Sequence, residues 1–113
     1  MNHLNQTTLN DLNDILGEDF SAIIDSFIES SSNILDAIPP SLLNDDIDSF
    51  VIKIHSLKGS CRNIGAESLA ELCMQYESNA KHGDIDKIDP SLTDIKHEFE
   101  LVKTSLINYQ SSH

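Results

Sequence analysis

The stretch Ile47 to Ala66, IDSFVIKIHSLKGSCRNIGA, decides the fold. Within it Ile47, Phe50, Ile54, Leu57, Cys61 and Ile64 recur at steps of three and four, the period of one apolar seam on an α-helix. Asp45, Asp46 and Asp48 stand where a helix N-terminus favours negative charge, and Gly65 is placed to end the last turn. Opposite the seam, His55, Lys58, Gly59 and Arg62 fall at i, i+3, i+4 and i+7, a single stripe directed at solvent. Glycine inside a helix costs about 1 kcal/mol relative to alanine, and no turn is needed at Gly59. Because it lies off the seam, helix crossing explains it less well than access: a missing side chain one turn from His55 clears space over the imidazole. A local rule broken beside a reactive side chain marks a functional position.

The same period continues on both sides, with no sustained strand-like alternation. Thr8 followed by Asp11 resembles a capping arrangement for a short first helix carrying Leu9, Leu12 and Leu16 up to Gly17. From Glu18, a broad face of Phe20, Ile23, Ile24, Phe27, Ile28, Ile34, Leu35 and Ile38 predicts a second helix stopped by Pro39-Pro40, followed by a loop over residues 41–44. After Gly65 a further helix directs Leu69, Leu72, Cys73, Tyr76 and Ala80 inward and ends near Gly83. Asp89-Pro90 reads as N-cap and first position of a last helix with Ile95, Phe99, Val102, Leu106 and Tyr109 as its seam. Four long amphipathic stretches with short connections predict an all-α antiparallel four-helix bundle with a short additional N-terminal helix. One domain over residues 1–113 is expected, with its core at about 8–109.

The chain has 113 residues and a formal net charge of −12, enough for one domain and too few for two. That charge argues against nucleic acid or an anionic membrane as partner, and no apolar run approaches the roughly 18 residues that span a bilayer. The distribution is uneven. Residues 1–50 hold ten acids and no Lys or Arg, residues 51–66 hold Lys53, Lys58 and Arg62 and no acid, and residues 67–113 hold nine acids against four lysines. The one basic island contains His55. The N-terminus has neither the basic nor the apolar region of a signal peptide. Cys61 and Cys73 lack zinc-ligand or C-x-x-C spacing and sit at apolar positions, so buried free thiols and a reducing cytoplasm are expected.

An exposed histidine with a lysine one turn away suits phosphoryl chemistry. At an ordinary pKa near 6.5 an imidazole is mostly neutral at pH 7, and its free ring nitrogen is a nucleophile. An adjacent ammonium neutralises charge on the equatorial oxygens of a transferring phosphoryl group. The four glycines, Gly17, Gly59, Gly65 and Gly83, form no P-loop and no kinase glycine loop, so the chain has no means of using ATP. The acid pairs Glu18-Asp19 and Asp45-Asp46 read as helix-start residues rather than Mg²⁺ ligands. His3, His82, His97 and His113 are scattered without ligand spacing, and no metal site is expected.

His55-Ser-Leu-Lys58-Gly59-Ser-Cys-Arg-Asn-Ile-Gly65-Ala66 resembles the signature H-x-x-K-G-x-x-x-x-x-G-A of histidine-containing phosphotransfer (HPt) domains, and Leu69, Leu72, Cys73 and Glu77 resemble that family's downstream L-x-x-L-C-x-x-x-E/Q run. The similarity extends over roughly Leu9 to Tyr109. It implies that His55 is phosphorylated on its outer ring nitrogen, that Lys58 lies beside the phosphoryl group, and that Gly59 leaves room for the partner. Glu77 stands where the family has Gln or Glu near the imidazole; it either accepts from the inner ring N–H or pairs with Lys81 in solvent. Arg62 is placed to meet the phosphoryl group or the partner. The resemblance further implies a monomeric covalent carrier rather than an enzyme, with no cofactor of its own. Its partners are response-regulator receiver domains, which supply the Asp and Mg²⁺, and a hybrid sensor kinase. A freestanding relay protein is expected, although an excised piece of a hybrid kinase reads the same. Two rival readings remain: a helical module that docks on a receiver or kinase and inhibits it without carrying phosphate, and a metal-binding bundle using His55 with the cysteines. The second conflicts with the placement of Cys61 on the seam and His55 opposite it.

Overall fold

The computed structural model describes residues 3–112; Met1, Asn2 and His113 lie outside the described residues. Among the described residues six α-helices follow in order: α1 (Gln6–Leu16), α2 (Phe20–Asp36), the single turn α3 (Leu42–Asp45), α4 (Ile47–Ile64), α5 (Glu67–Lys81) and α6 (Thr93–Ser112). Among the described residues there is no strand. The long helices α2, α4, α5 and α6 form the bundle, with α4 packed on α5 and α2, and α6 closing the ring against α5 and α2. Short connections force neighbours to run antiparallel.

The α4 seam is buried along its length from Phe50 through Ile54, Leu57 and Cys61 to Ile64, and all five residues of the α6 seam are buried as well. Gly65 then ends α4 in the left-handed region at φ 80°, a conformation that glycine adopts without strain. It also meets α1 closely, since a Cβ there would stand 3.0 Å from the Thr8 Cβ. The backbone N–H of Asn5 donates to the Gly65 carbonyl at 2.8 Å, so the first helix is seated on the α4–α5 turn at one end of the bundle.

Several local expectations are corrected. Asn5, not Thr8, caps α1: its side-chain oxygen accepts from the Thr8 N–H, which places Thr8 within the first turn. The expected loop over 41–44 contains α3, because the Ser41 carbonyl accepts from Asn44 and Asp45 while Leu43 is anchored in the core. Of the acids preceding α4, Asp46 is the cap, accepting from the Ser49 N–H, whereas Asp45 belongs to α3; ahead of α2, Asp19 makes no capping bond. Asp89-Pro90 does not open the last helix. The Asp89 carboxylate accepts from the N–H groups of Ser91 and Thr93, and Leu92, fully buried, adopts φ 55°, so helical geometry begins only at Thr93. Ile23, placed inward by its period, is 43% exposed on the outer edge of α2.

Candidate functional site

His55 projects from the middle of α4 with its side chain 64% exposed. Behind it, on α5, lies Glu77, a carboxylate only 4% exposed and flanked by the buried residues Cys73, Tyr76 and Ala80. Burial penalises the charged form of such a group, yet hydrogen bonds from Lys58, Lys81 and His55 outweigh that cost and hold its pKa down at about 2. Glu77 is therefore ionised at neutral pH and acts only as an acceptor. His55 Nδ1 lies 2.8 Å from Oε2, so Nδ1 carries the proton and donates it. The imidazole is fixed in the tautomer whose Nε2 bears a free lone pair.

Two lysines share the carboxylate. Lys58, one turn after His55, donates to Oε1 at 2.6 Å, and Lys81, one turn after Glu77, reaches Oε2 at 2.9 Å. Lys58 thus differs from its expected free position in solvent: its stem leans across to α5 and its side chain is only 14% exposed. Both readings of Glu77 contain part of the arrangement, since it accepts from the imidazole and pairs with Lys81, but as a buried group rather than a solvated one. At Gly59, a Cβ would meet nothing within 4 Å, so neither a helix crossing nor any other described contact requires the glycine. The glycine leaves open space one turn from His55.

Comparison with known proteins places this geometry in a family. A model of the Hpt domain matches residues 22–105, most of the chain. The chain belongs to the Hpt domain family. Hpt domains are phosphocarrier modules. Histidine-containing phosphotransfer protein 1 of Arabidopsis thaliana is 30% identical over 101 residues, a region covering 87% of this chain and 66% of the plant protein. The crystal structure of histidine-containing phosphotransfer protein B from Pseudomonas aeruginosa matches with a TM-score of 0.89 over 98% of this chain and 96% of the other, at 23% identity. The shared fold is the helical Hpt fold, and among the described residues no helix is long and apolar enough to cross a membrane.

The remaining residues of this Hpt chain fall in two groups. Arg62 is exposed on the His55 stripe, and its guanidinium makes a weak 3.9 Å contact to the Met74 sulfur rather than joining the Glu77 cluster. The other histidines stand apart: His3 Nδ1 donates to the Glu98 carboxylate at 2.7 Å, and His82 Nδ1 lies 2.7 Å from the Ser78 carbonyl. His97 is exposed, and His113 lies outside the described residues. Cys61 and Cys73 are fully buried free thiols. A mutual hydrogen bond and burial push the Cys61 thiol far up, so it is not poised as a ligand or nucleophile. Among the described residues no three His, Cys, Asp or Glu side chains are grouped to hold a metal ion.

Sequence reasoning missed the Lys58–Glu77 contact, which joins residues 19 apart on two helices. One signal was available. Glu77 follows Cys73 by one turn and Tyr76 by one residue, so it falls within the inward arc of α5, where an acid survives only with cationic partners.

Proposed function

We propose that this Hpt protein carries a phosphoryl group on Nε2 of His55, receiving it from the aspartyl phosphate of one receiver domain and passing it to the Asp of another. The partners are response-regulator receiver domains and a hybrid sensor kinase that bears one. The protein acts as a cytoplasmic monomer, contributing the nucleophile while the receiver contributes Mg²⁺. One observation carries the reading: His55 is exposed above Gly59 while its inner nitrogen is tied to an ionised, buried Glu77.

The chemistry follows from that geometry. The Nε2 lone pair forms the N–P bond as the P–O bond to the aspartyl carboxylate breaks, and the carboxylate leaves with the bonding pair. Nδ1 keeps its proton, so the ring becomes an imidazolium beside the Glu77 anion. A phosphoryl group on a cationic ring has a good leaving group beneath it, which keeps the second transfer feasible. The ammonium of Lys58, one turn from His55 on the same helix, is the cation that would screen the equatorial oxygens.

The test is incubation of the full chain with a phosphorylated receiver, followed by intact mass and label stability. An acid-labile, base-stable label is expected on the wild-type chain and none on His55→Gln. Label on the variant, or none on the wild type, removes the proposal. A chain that takes no label yet lowers the receiver's phosphorylation would instead be a non-carrying inhibitor.

A further inference from the structure

The Glu77 carboxylate has more positive partners than it needs. Two ammonium groups and an imidazole N–H converge on one buried anion, so the resting cluster carries a surplus positive charge. The partners are also divided between the oxygens. Lys58 alone occupies Oε1, whereas Lys81 shares Oε2 with the His55 N–H. A phosphoryl group on Nε2 brings close to two negative charges and has to draw a cation from somewhere. Lys58 is on the nucleophile's own helix, one turn away on the same face, and its departure leaves the Oε2 contacts intact.

Resting on the proposed function, we infer that Lys81 is a positioning residue: it holds Glu77 ionised and in place when Lys58 transfers from Oε1 to the phosphoryl group. The loaded site then balances. One carboxylate, two ammoniums, the imidazolium and a dianionic phosphoryl group sum to zero. Without Lys81, either Glu77 is left buried against the ring N–H alone, or Lys58 stays on Glu77 and the phosphoryl group goes unscreened. In the resting protein, loss of Lys81 still leaves Glu77 two donors, Lys58 on Oε1 and the His55 N–H on Oε2. Lys81 therefore matters in the loaded state far more than in the resting one.

The experiment loads the full chain with phosphoramidate, whose P–N bond breaks with loss of ammonia as the His55 N–P bond forms, and follows intact mass. Lys81→Gln is expected to slow loading by roughly three- to tenfold, a range set by removing one charge-assisted bond from a partly exposed ammonium, while its unloaded melting temperature stays at that of the wild type. Lys81→Arg should restore loading. In a Glu77→Gln background, where no anion needs holding, the Lys81→Gln effect should vanish. No effect of Lys81→Gln overturns the inference, and so does an equal effect in the Glu77→Gln background, which would put Lys81 directly on the phosphoryl group. Side-chain ¹H–¹⁵N spectra of the folded wild type give a second test. Loading should shift the Lys58 ammonium signal and leave that of Lys81, and the reverse pattern overturns the inference. A wild-type chain that takes no phosphoryl group from either phosphoramidate or a receiver removes the underlying proposal, whereas normal loading of every Lys81 variant removes only this one.

Discussion

Two histidine–glutamate pairs of nearly equal length occupy different parts of the bundle. His55 meets Glu77 at 2.8 Å between α4 and α5, and His3 meets Glu98 at 2.7 Å where the N-terminal segment crosses α6. Their surroundings differ in three respects. The His55 side chain is 64% exposed above a 5% exposed carboxylate, against 30% and 12% for the other pair. Glu77 carries two lysines, while no Lys or Arg is paired with Glu98 among the described ion pairs. An open glycine lies one turn beyond His55. A histidine tied to a carboxylate thus occurs twice in this fold, and it is the exposed ring, the paired lysines and the open glycine together that set the His55 pair apart as the proposed phosphoryl site.

The largest expected effect separates the pairs outright. His55→Gln should lose all phosphoryl uptake from a phosphorylated receiver, and His3→Gln should keep it, as read by intact mass. Uptake lost equally in both would erase the distinction. Next comes access. A Gly59→Trp chain should transfer with a receiver at least tenfold more slowly while still loading from phosphoramidate, because bulk there blocks a macromolecule and spares the ring. Gly59→Ala should raise stability by about 0.5–1 kcal/mol in denaturant titration, since its Cβ meets nothing within 4 Å and helix propensity improves. A loss of stability would show that the position is packed.

A third contrast is in acid. The Glu77 pKa is depressed from 4.5 to about 2, so its contribution to stability is complete above the unfolded value and is lost as pH falls from 4.5 towards 2. Denaturant titrations over that window should give a steeper loss for the wild type than for Glu77→Gln. Parallel curves for wild type and Glu77→Gln would contradict the buried-anion assignment.

The smallest effect concerns the basic island. Reversing Lys53 or Arg62 to Glu should slow receiver association by a few-fold at low salt and less at high salt, because neither belongs to the Glu77 cluster and both act at long range. A salt-independent effect would mean direct contact with the phosphoryl group.

The bundle was legible because helices announce themselves by period: the α6 seam is buried at every position its spacing marked, and the α4 seam at every position but Ile47, which is half-buried in the first turn. Ends were less legible, since caps depend on backbone angles that neighbouring residues decide. Asp89-Pro90 resembles a helix start, but the left-handed, fully buried Leu92 delays α6 to Thr93. At the site, His55, Lys58 and Gly59 share one helix and could be read from spacing. The orientation of Lys58 could not, because its partner is on another helix and the pairing depends on how α4 and α5 pack.

The central claim is that Nε2 of His55 is the nucleophile because Glu77 holds the proton on Nδ1. Long-range ¹H–¹⁵N spectra of the imidazole, before and after loading, test it most directly. The unloaded ring should show the Nδ1–H tautomer, and the loaded ring phosphorus coupling at Nε2. An Nε2–H tautomer at neutral pH, or phosphorus on Nδ1, would contradict the account.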